Sequence, residues 1–180
     1  MKKILAFAGS NSSKSINHQL VTYTASRIEG HHVNVIKLTD YPLPLYGIDL
    51  EQEGGFSNEL KALHELIKES DGLIISVNEH NSGVSAFFKN TTDWLSRFDR
   101  SFLENKKILL MSSSTGGRGA FSALDFAKKT LPRFGAEIVD TFSFPKFNDN
   151  FSKEENTITE SVLEESLNDS ILNFVLSLND

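Results

Sequence analysis

The sequence has no cysteine and no long apolar run, and both absences narrow the functions open to it. Across its 180 residues, the lack of Cys excludes disulfides, thiol catalysis and thiolate metal ligands. No segment approaches the roughly 18 consecutive apolar residues of a membrane-spanning helix. The apolar run at residues 4–8 is shorter than a signal-peptide core of about 7–15 residues, so we expect a cytoplasmic protein.

An excess of basic residues is likewise absent. The chain has 18 Lys and Arg against 24 Asp and Glu, a net charge of −6. We therefore expect neither a nucleic acid nor a membrane surface as its partner. The composition, with 39% hydrophobic and 23% charged residues, is typical of a globular protein. The length predicts a single domain, residues 1–180, with a substantial core.

Apolar segments with the features of buried strands alternate with amphipathic segments of helical period. Strands are predicted over residues 3–8, 33–38, 72–77, 107–112 and 136–142. Helices are predicted over residues 16–28, 58–69, 85–97, 121–134 and 163–178. The alternation predicts an α/β fold: a five-stranded parallel sheet of flavodoxin-like order 2-1-3-4-5 with helices on both faces.

Two longer segments show no clear period. Residues 39–55, with two prolines and three glycines, are predicted to form a long loop. Residues 147–159 are polar and are predicted to be a mobile connection.

The first predicted strand ends at Gly9 and leads into the first helix through a run of hydroxyl side chains. This first loop, residues 9–17, includes Ser10, Ser12 and Ser15. Unpaired backbone N–H groups and the positive end of a helix dipole favour an anion at such a place, so we predict a phosphate site. The alternative is an ordinary polar turn in which Ser13 or Ser15 only caps the helix. The glycine spacing of a dinucleotide fingerprint or a P-loop is missing, which favours a terminal phosphate such as that of FMN.

Two further loops follow the third and fourth predicted strands. The carboxyl ends of parallel strands share one edge of the sheet, so these loops should lie beside the first. In the second loop, residues 78–85, amide side chains suit the edge of a planar ligand, although His80 is equally typical of an exposed loop. In the third loop, residues 112–119, glycines permit close backbone approach to a polar ring. Arg118 either attracts a second phosphate, from a pyridine nucleotide, or lies in solvent.

Together the three loops resemble the NADPH-dependent FMN reductase family, a flavodoxin-like group that includes quinone, chromate and azo-dye reductases. The residues that match its three motifs are Gly9, Ser10, Ser15 and Asn17, then Glu79, Asn81, Lys89, Asn90, Asp93 and Trp94, then Gly116-Gly117-Arg118-Gly119. The chain departs from the family pattern at four places: Ser12 replaces Arg, Asn78 replaces Pro, His80 replaces Tyr, and Ser82-Gly83 inverts a Gly-Ser pair.

The resemblance implies an NAD(P)H-dependent oxidoreductase with FMN as its cofactor and NADPH or NADH as its co-substrate. Hydride passes to FMN and the electrons go on, in a ping-pong cycle, to a small-molecule acceptor: a quinone, an azo compound, a metal oxyanion or a flavin. The flavin carries the chemistry, so no catalytic side chain and no metal are expected. A homodimer is implied, with a tetramer as the alternative.

The resemblance also implies which residues bind the cofactor. It assigns the binding of the FMN phosphate to Ser10, Ser12, Ser15, Ile16 and Asn17. It assigns one edge of the flavin ring to Asn78, Glu79, His80 and Asn81. It assigns the other edge to Ser113, Ser114, Thr115, Gly116 and Gly117.

Two other functions remain open from the sequence. One is an FMN-binding electron carrier without NAD(P)H activity. The other is a flavodoxin-like binding protein that has lost the cofactor, which the departures at Ser12, Asn78 and His80 favour. A hydrolase is disfavoured, because no Gly-x-Ser-x-Gly segment occurs.

Overall fold

A computed structural model describes residues 1–179 and contains the predicted five-stranded parallel sheet. In chain order the strands are β1 (Lys3–Ala8), β2 (His32–Val35), β3 (Gly72–Val77), β4 (Glu79–His80), β5 (Gly83–Val84), β6 (Lys107–Ser113), β7 (Glu137–Phe144), β8 (Phe151–Ser152) and β9 (Thr157–Ile158). The sheet order is β2-β1-β3-β6-β7 with every neighbouring pair parallel, which confirms the predicted topology. The pairs β4–β5 and β8–β9 are small antiparallel hairpins outside this sheet.

The helices cover both faces of the sheet. They are α1 (Ile16–Ser26), α2 (Ile48–Gly54), α3 (Asn58–Glu69), α4 (Ala86–Phe98), α5 (Phe121–Thr130), α6 (Phe147–Asn150) and α7 (Ser161–Ser177). Alternate β1 side chains serve two cores: Leu5 and Phe7 pack with α3, α4 and α5, whereas Ile4 and Ala6 pack with α1 and α7. Among residues 1–179, no helix combines the length and the apolar character needed to cross a membrane.

The elements that the sequence predicts most closely are those with the plainest local signals. The central strand β3 is buried along its whole length, as its nearly continuous apolar sequence predicts for a strand covered on both faces. Helix α3 begins after Ser57, whose hydroxyl accepts from the backbone N–H of Leu60 at 3.2 Å. Pro132 ends α5 early, and a 3₁₀ turn over Leu131–Phe134 completes the predicted helix.

The prediction of a single long loop over residues 39–55 is wrong, because α2 lies within it. The helix has no buried residue of its own, so it lacks the apolar stripe that would mark it in the sequence. It is held from outside: Arg97 of α4 donates two hydrogen bonds to Glu51 at 2.9 and 3.0 Å.

The prediction of a mobile connection over residues 147–159 is also wrong. This segment contains α6 and the β8–β9 hairpin, and it buries Phe147, Phe151 and Ile158. The rings of Phe147 and Phe151 stack with their centroids 4.8 Å apart. Three apolar residues dispersed among polar ones leave no period, so only the tertiary structure shows that they meet.

Other boundaries shift by a few residues. The second strand ends at Val35 rather than residue 38, because Leu38 begins a 3₁₀ turn, and the last sheet strand continues to Phe144. The first helix ends at Ser26, two residues early. None of these shifts moves the three loops away from the carboxyl edge of the sheet.

Candidate functional site

The three predicted loops start at one edge of the sheet. Ala8 of β1 is level with Ser76 of β3, and Val77 is level with Ser112 of β6. The backbone N–H of Gly9 also donates to the carbonyl of Ser76, at 2.9 Å. The structure therefore brings the first, second and third loops together.

The first loop turns through hydrogen bonds between hydroxyls and backbone amides. The Ser10 hydroxyl accepts from the N–H of Ser12, and the Ser12 hydroxyl accepts from the N–H of Lys14, both at 3.2 Å. Ser15 caps α1, since its hydroxyl accepts from the N–H of His18 at 3.1 Å. Ser15 thus has the capping role that the sequence offered as the alternative, while the Ser10 and Ser12 side chains stay accessible.

The amino end of α1 is suited to an anion. Its first turn has no acidic residue, and the first N–H groups of a helix have no intrahelical acceptor. Ile16 packs its side chain against the core, so it offers a ligand only its backbone. The positive end of the helix dipole therefore points toward the serine-rich turn without a carboxylate of its own helix beside it.

A groove of about 430 Å³ runs along the outer side of this loop. The segment after β2 also lines this groove, with Lys37 and Asp40, as does His18 of α1. Burial and the nearby Lys37 ammonium hold the pKa of His18 below its ordinary value. No motif in the sequence marks Lys37, although its position just past the second strand places it at this edge of the sheet.

Ser85 fastens the first loop to the second. Its hydroxyl donates to the carbonyl of Gly9 at 2.7 Å and accepts from the N–H of Phe88 at 3.0 Å. A Cβ at Gly9 would lie 2.8–2.9 Å from the side chain of Phe88, so only glycine fits here. Ser85 was predicted as the last residue of the second loop and the start of a helix, and no local signal shows its bond to Gly9.

Asn17 fastens the first loop to the third. Its side-chain oxygen accepts from the Ser113 N–H at 2.9 Å and from the Ser76 hydroxyl at 2.7 Å. Its side-chain amide donates to the Ser113 carbonyl at 3.1 Å. Asn17 is 2% exposed, and these three bonds to the protein engage its side chain.

The second loop contains the β4–β5 hairpin. Asn81 and Ser82 form its turn with φ angles of 51° and 63°, in the left-handed region. In the family motif glycine follows Asn at this point, whereas here Gly83 stands one residue later, in β5. His80 and Asn81 are exposed.

Asn78 holds a buried polar atom with no partner. Its Oδ1 is buried and makes no hydrogen bond, while its Nδ2 lies 3.3 Å from Nε2 of His80. Flipping the amide would exchange its two polar atoms and leave the nitrogen, instead of the oxygen, buried without a partner. A buried acceptor normally has one, so this atom is suited to a donor that a ligand supplies.

Glu79 reaches from the second loop to the helix that follows the third. Its Oε2 accepts from the backbone N–H groups of Ser122 at 2.8 Å and Ala123 at 3.1 Å. The carboxylate is therefore engaged by the first turn of α5. Ser85 thus joins the first loop to the second, Asn17 joins the first to the third, and Glu79 joins the second to the helix that follows the third.

The third loop is hydrogen-bonded to β7 where it begins, and its tip is exposed. The hydroxyl of Ser113 donates to the Phe144 carbonyl at 3.1 Å, and Ser113 is buried. Gly119 has a φ of 57°, and a Cβ there would collide with Ser143. Thr115, Gly116 and Gly117 are exposed and Ser114 is partly so.

Lys146 is a further residue that the sequence analysis missed. It follows β7, adopts a left-handed φ of 47°, and donates its backbone N–H to the Gly116 carbonyl at 3.0 Å. Its side chain passes near Gly117. Arg118 is exposed and donates to the Ser122 hydroxyl at 3.1 Å. Within residues 1–179, no group of three or more His, Asp or Glu side chains is placed to hold a metal.

The sequence pattern of the family described as NADPH-dependent FMN reductase matches residues 2–149, which include all three loops. The chain belongs to this family. A quinone reductase of Escherichia coli strain K12 is 42% identical over 74 residues, which is 41% of this chain and 39% of the relative. An NADPH:quinone oxidoreductase of Arabidopsis thaliana is 29% identical over 119 residues, or 64% of this chain and 58% of the relative.

A solved structure shows the same FMN reductase fold. The flavoenzyme NAD(P)H:(acceptor) oxidoreductase of Paracoccus denitrificans superposes with a TM-score of 0.77 at 21% identity, covering 99% of this chain and 98% of that one. The chain spans about two fifths to three fifths of the length of the two curated relatives. The family match and the superposition thus agree on the fold of this chain.

Proposed function

We propose that this FMN reductase family member is an NAD(P)H-dependent oxidoreductase that binds FMN across its three loops. The reductant is NADPH or NADH, and the acceptor is a quinone, an azo compound, a metal oxyanion or a flavin. One observation carries the proposal: the family match runs through all three loops, which side chains join at one sheet edge. FMN, when bound, supplies the two-electron chemistry, taking hydride from NAD(P)H and passing the electrons on.

The first loop fits the phosphate end of FMN. The amino end of α1 offers backbone N–H groups, and Ser10 and Ser12 offer accessible hydroxyls. The family Arg is replaced by Ser12, which removes one cation. Lys37 lies in the same groove, and we propose that its ammonium compensates. Ser15 acts by holding the helix start that the phosphate meets.

The second and third loops fit the ring end. Asn78 presents a buried acceptor without a partner, and Gly116 and Gly117 present exposed backbone without side chains in the way. These groups bind and orient a polar ring edge. Because the side chains of Asn17, Glu79 and Ser113 are engaged by the protein, we propose that they hold the loops in place around the cofactor.

The deciding experiment is an absorbance titration of the purified protein with FMN, followed by anaerobic addition of NADPH or NADH. Saturable binding followed by bleaching of the bound flavin is the expected result. Binding without bleaching would identify an electron carrier, and no binding would identify a protein that has lost its cofactor. The rate of bleaching with each nucleotide gives the preferred reductant.

Riboflavin, which lacks the phosphate, provides the matched control for the first loop. Ser12→Arg should tighten FMN binding and leave riboflavin binding unchanged, because only the phosphate gains a cation. Asn78→Ala should weaken the binding of both ligands by about tenfold while leaving the stability of the free protein nearly unchanged, since Oδ1 has no partner to lose and Nδ2 loses only its 3.3 Å contact with the exposed His80. Equal effects of Ser12→Arg on FMN and riboflavin would contradict the phosphate assignment.

We also propose that the chain forms a homodimer. The proposal is supported by three exposed apolar side chains within residues 45–50, around α2: Leu45 (82% exposed), Ile48 and Leu50. Sedimentation equilibrium of the wild type and of Leu45→Ser tests this, with a weaker association expected for the variant. The proposed location is the cytoplasm, where NAD(P)H is kept, and cell fractionation tests it.

A further inference from the structure

Helix α5 takes its amino-terminal cap from a distant part of the chain. The residue at its own cap position, Ala120, has no side-chain acceptor and adopts a left-handed φ of 61°. In its place Glu79, 43 residues earlier, accepts from the N–H groups of Ser122 and Ala123. The carboxylate satisfies two amides that no helical carbonyl reaches, and it opposes the positive end of the helix dipole.

The other helices of ten or more residues are capped locally. Ser15, Ser57 and Ser85 cap α1, α3 and α4 with their hydroxyls, and Glu160 caps α7 with its carboxylate at 2.8 Å from the N–H of Leu163. Each of these residues directly precedes its own helix. Like Ser85, whose hydroxyl also bonds the Gly9 carbonyl, Glu79 joins two segments, and it does so from a loop that does not precede the helix it caps.

The hairpin that carries Glu79 has little regular structure to hold it. Its two strands contribute two residue pairs, Glu79 with Val84 and His80 with Gly83. Its turn is left-handed at both central residues. The bonds from the Glu79 carboxylate therefore fix this hairpin against α5, and with it the residues of the second loop on either side of Glu79.

Building on the proposed function, we propose that Glu79 is a positioning residue that locks the second loop to the start of α5, and through α5 to the end of the third loop, across the flavin ring. The neighbouring Asn78 presents the unpartnered acceptor, and the third loop leads directly into the helix that Glu79 caps. Fixing one against the other sets the width of the ring site before any ligand enters. Preorganisation of this kind raises affinity by lowering the ordering cost of binding.

The experiment compares Glu79→Ala, Glu79→Gln and Glu160→Ala. Alanine removes both hydrogen bonds at Glu79, whereas glutamine keeps an acceptor oxygen and loses only the charge. Glu160→Ala is the matched control, because it removes a carboxylate cap from α7, which carries none of the three loops. For each variant we would measure amide hydrogen exchange without ligand, the FMN dissociation constant, and the visible circular dichroism of bound flavin.

In Glu79→Ala, exchange should speed up at least about tenfold at Ser122 and Ala123 and also across residues 78–85. FMN binding should weaken about tenfold and the flavin dichroism should change. Glu79→Gln should recover most of both effects. Glu160→Ala should speed exchange only near Leu163 and leave the flavin signals as in the wild type.

Two results would overturn the proposal: faster exchange at α5 without any change across residues 78–85, or flavin signals in Glu79→Ala that match those of Glu160→Ala. If the wild type binds no FMN, the proposed function fails. The exchange measurement then still decides whether Glu79 joins the second loop to α5.

Discussion

The side-chain amide of Asn17 bonds both backbone groups of Ser113, accepting from its N–H at 2.9 Å and donating to its carbonyl at 3.1 Å. A side chain from the first turn of α1 thus pairs with the last residue of β6 as a neighbouring strand would. The same oxygen takes the Ser76 hydroxyl at 2.7 Å, so one buried amide joins α1 to two strand ends.

Asn17→Ala should therefore destabilise the protein by about 2–4 kcal/mol, because it leaves the Ser113 N–H and the Ser76 hydroxyl buried without partners. FMN binding should weaken as well, since the first and third loops lose their connection. Urea unfolding and an FMN titration check the two effects. Asn173→Ala, which removes an exposed bond to Asp140, is the control and should cost less than about 0.5 kcal/mol. Wild-type stability in Asn17→Ala would contradict the assigned role.

Gly9→Ala should destabilise the protein by about 1–3 kcal/mol, because the added methyl meets Phe88, which is itself packed in the core. Relieving this clash requires a shift of either the first loop or α4. FMN affinity should therefore decrease together with the stability of the protein. Gly47→Ala is the matched control, since a Cβ there meets nothing within 4 Å. Thermal unfolding of both variants checks the difference, and equal melting temperatures would count against the close contact.

The sequence predicted the sheet and the meeting of the loops because both depend on local signals and general rules of topology. Strands β1 and β3 and helix α3 have the predicted bounds, since a run buried on both faces and a Ser cap are visible in a short window. Parallel strands place the loops that follow them at one edge whatever the side chains are.

The side-chain hydrogen bonds that hold the loops could not be predicted from the sequence. Glu79 and Ser122 are 43 residues apart, and Asn17 and Ser113 are 96 apart, so no periodicity relates them. A motif match assigns such residues to the cofactor. In the structure their side chains accept hydrogen bonds from backbone N–H groups of other elements. The contact that holds α2 was hidden for the same reason, because Arg97 lies 46 residues beyond Glu51.

Ser82→Gly should stabilise the protein by about 0.5–1 kcal/mol. Ser82 occupies a left-handed position at φ 63°, which a side chain disfavours and glycine adopts without penalty. Ser82→Ala should give no such gain, because alanine keeps the Cβ. Urea unfolding of both variants measures the difference. Equal losses of stability in Ser82→Gly and Ser82→Ala, relative to the wild type, would show that the hydroxyl, rather than the backbone angle, determines this turn.

Asp99 should contribute to stability in a pH-dependent way. The hydrogen bond from His64 at 2.9 Å, and then the N–H of Ser101, lower the pKa of Asp99 below its ordinary value of 3.8. A carboxylate with a lowered pKa stabilises the fold fully above the unfolded value and loses that contribution as the pH falls through the folded value. Asp99→Asn should thus cost stability at pH 7 and progressively less below about pH 4.

The expected difference at pH 7 is up to about 1 kcal/mol, because the Asp99 side chain is 42% exposed and water screens the interaction. Urea unfolding at pH 7, 5 and 3 measures it. Asp125→Asn, in an exposed pair with Lys129, serves as the control. A cost for Asp99→Asn that is independent of pH would indicate that shape, not charge, matters at this position.

Trp94 is the only tryptophan of the chain, and it lies 3% exposed where α4 meets the segment around α2. Its indole N–H donates to the Pro44 carbonyl at 2.8 Å, and the ring of Tyr46 packs edge-on with centroids 5.2 Å apart. The tryptophan fluorescence of the protein therefore originates at this contact between α4 and the segment around α2. Its emission reports whether the segment remains attached to α4, so detachment there can be followed optically, separately from melting of the sheet.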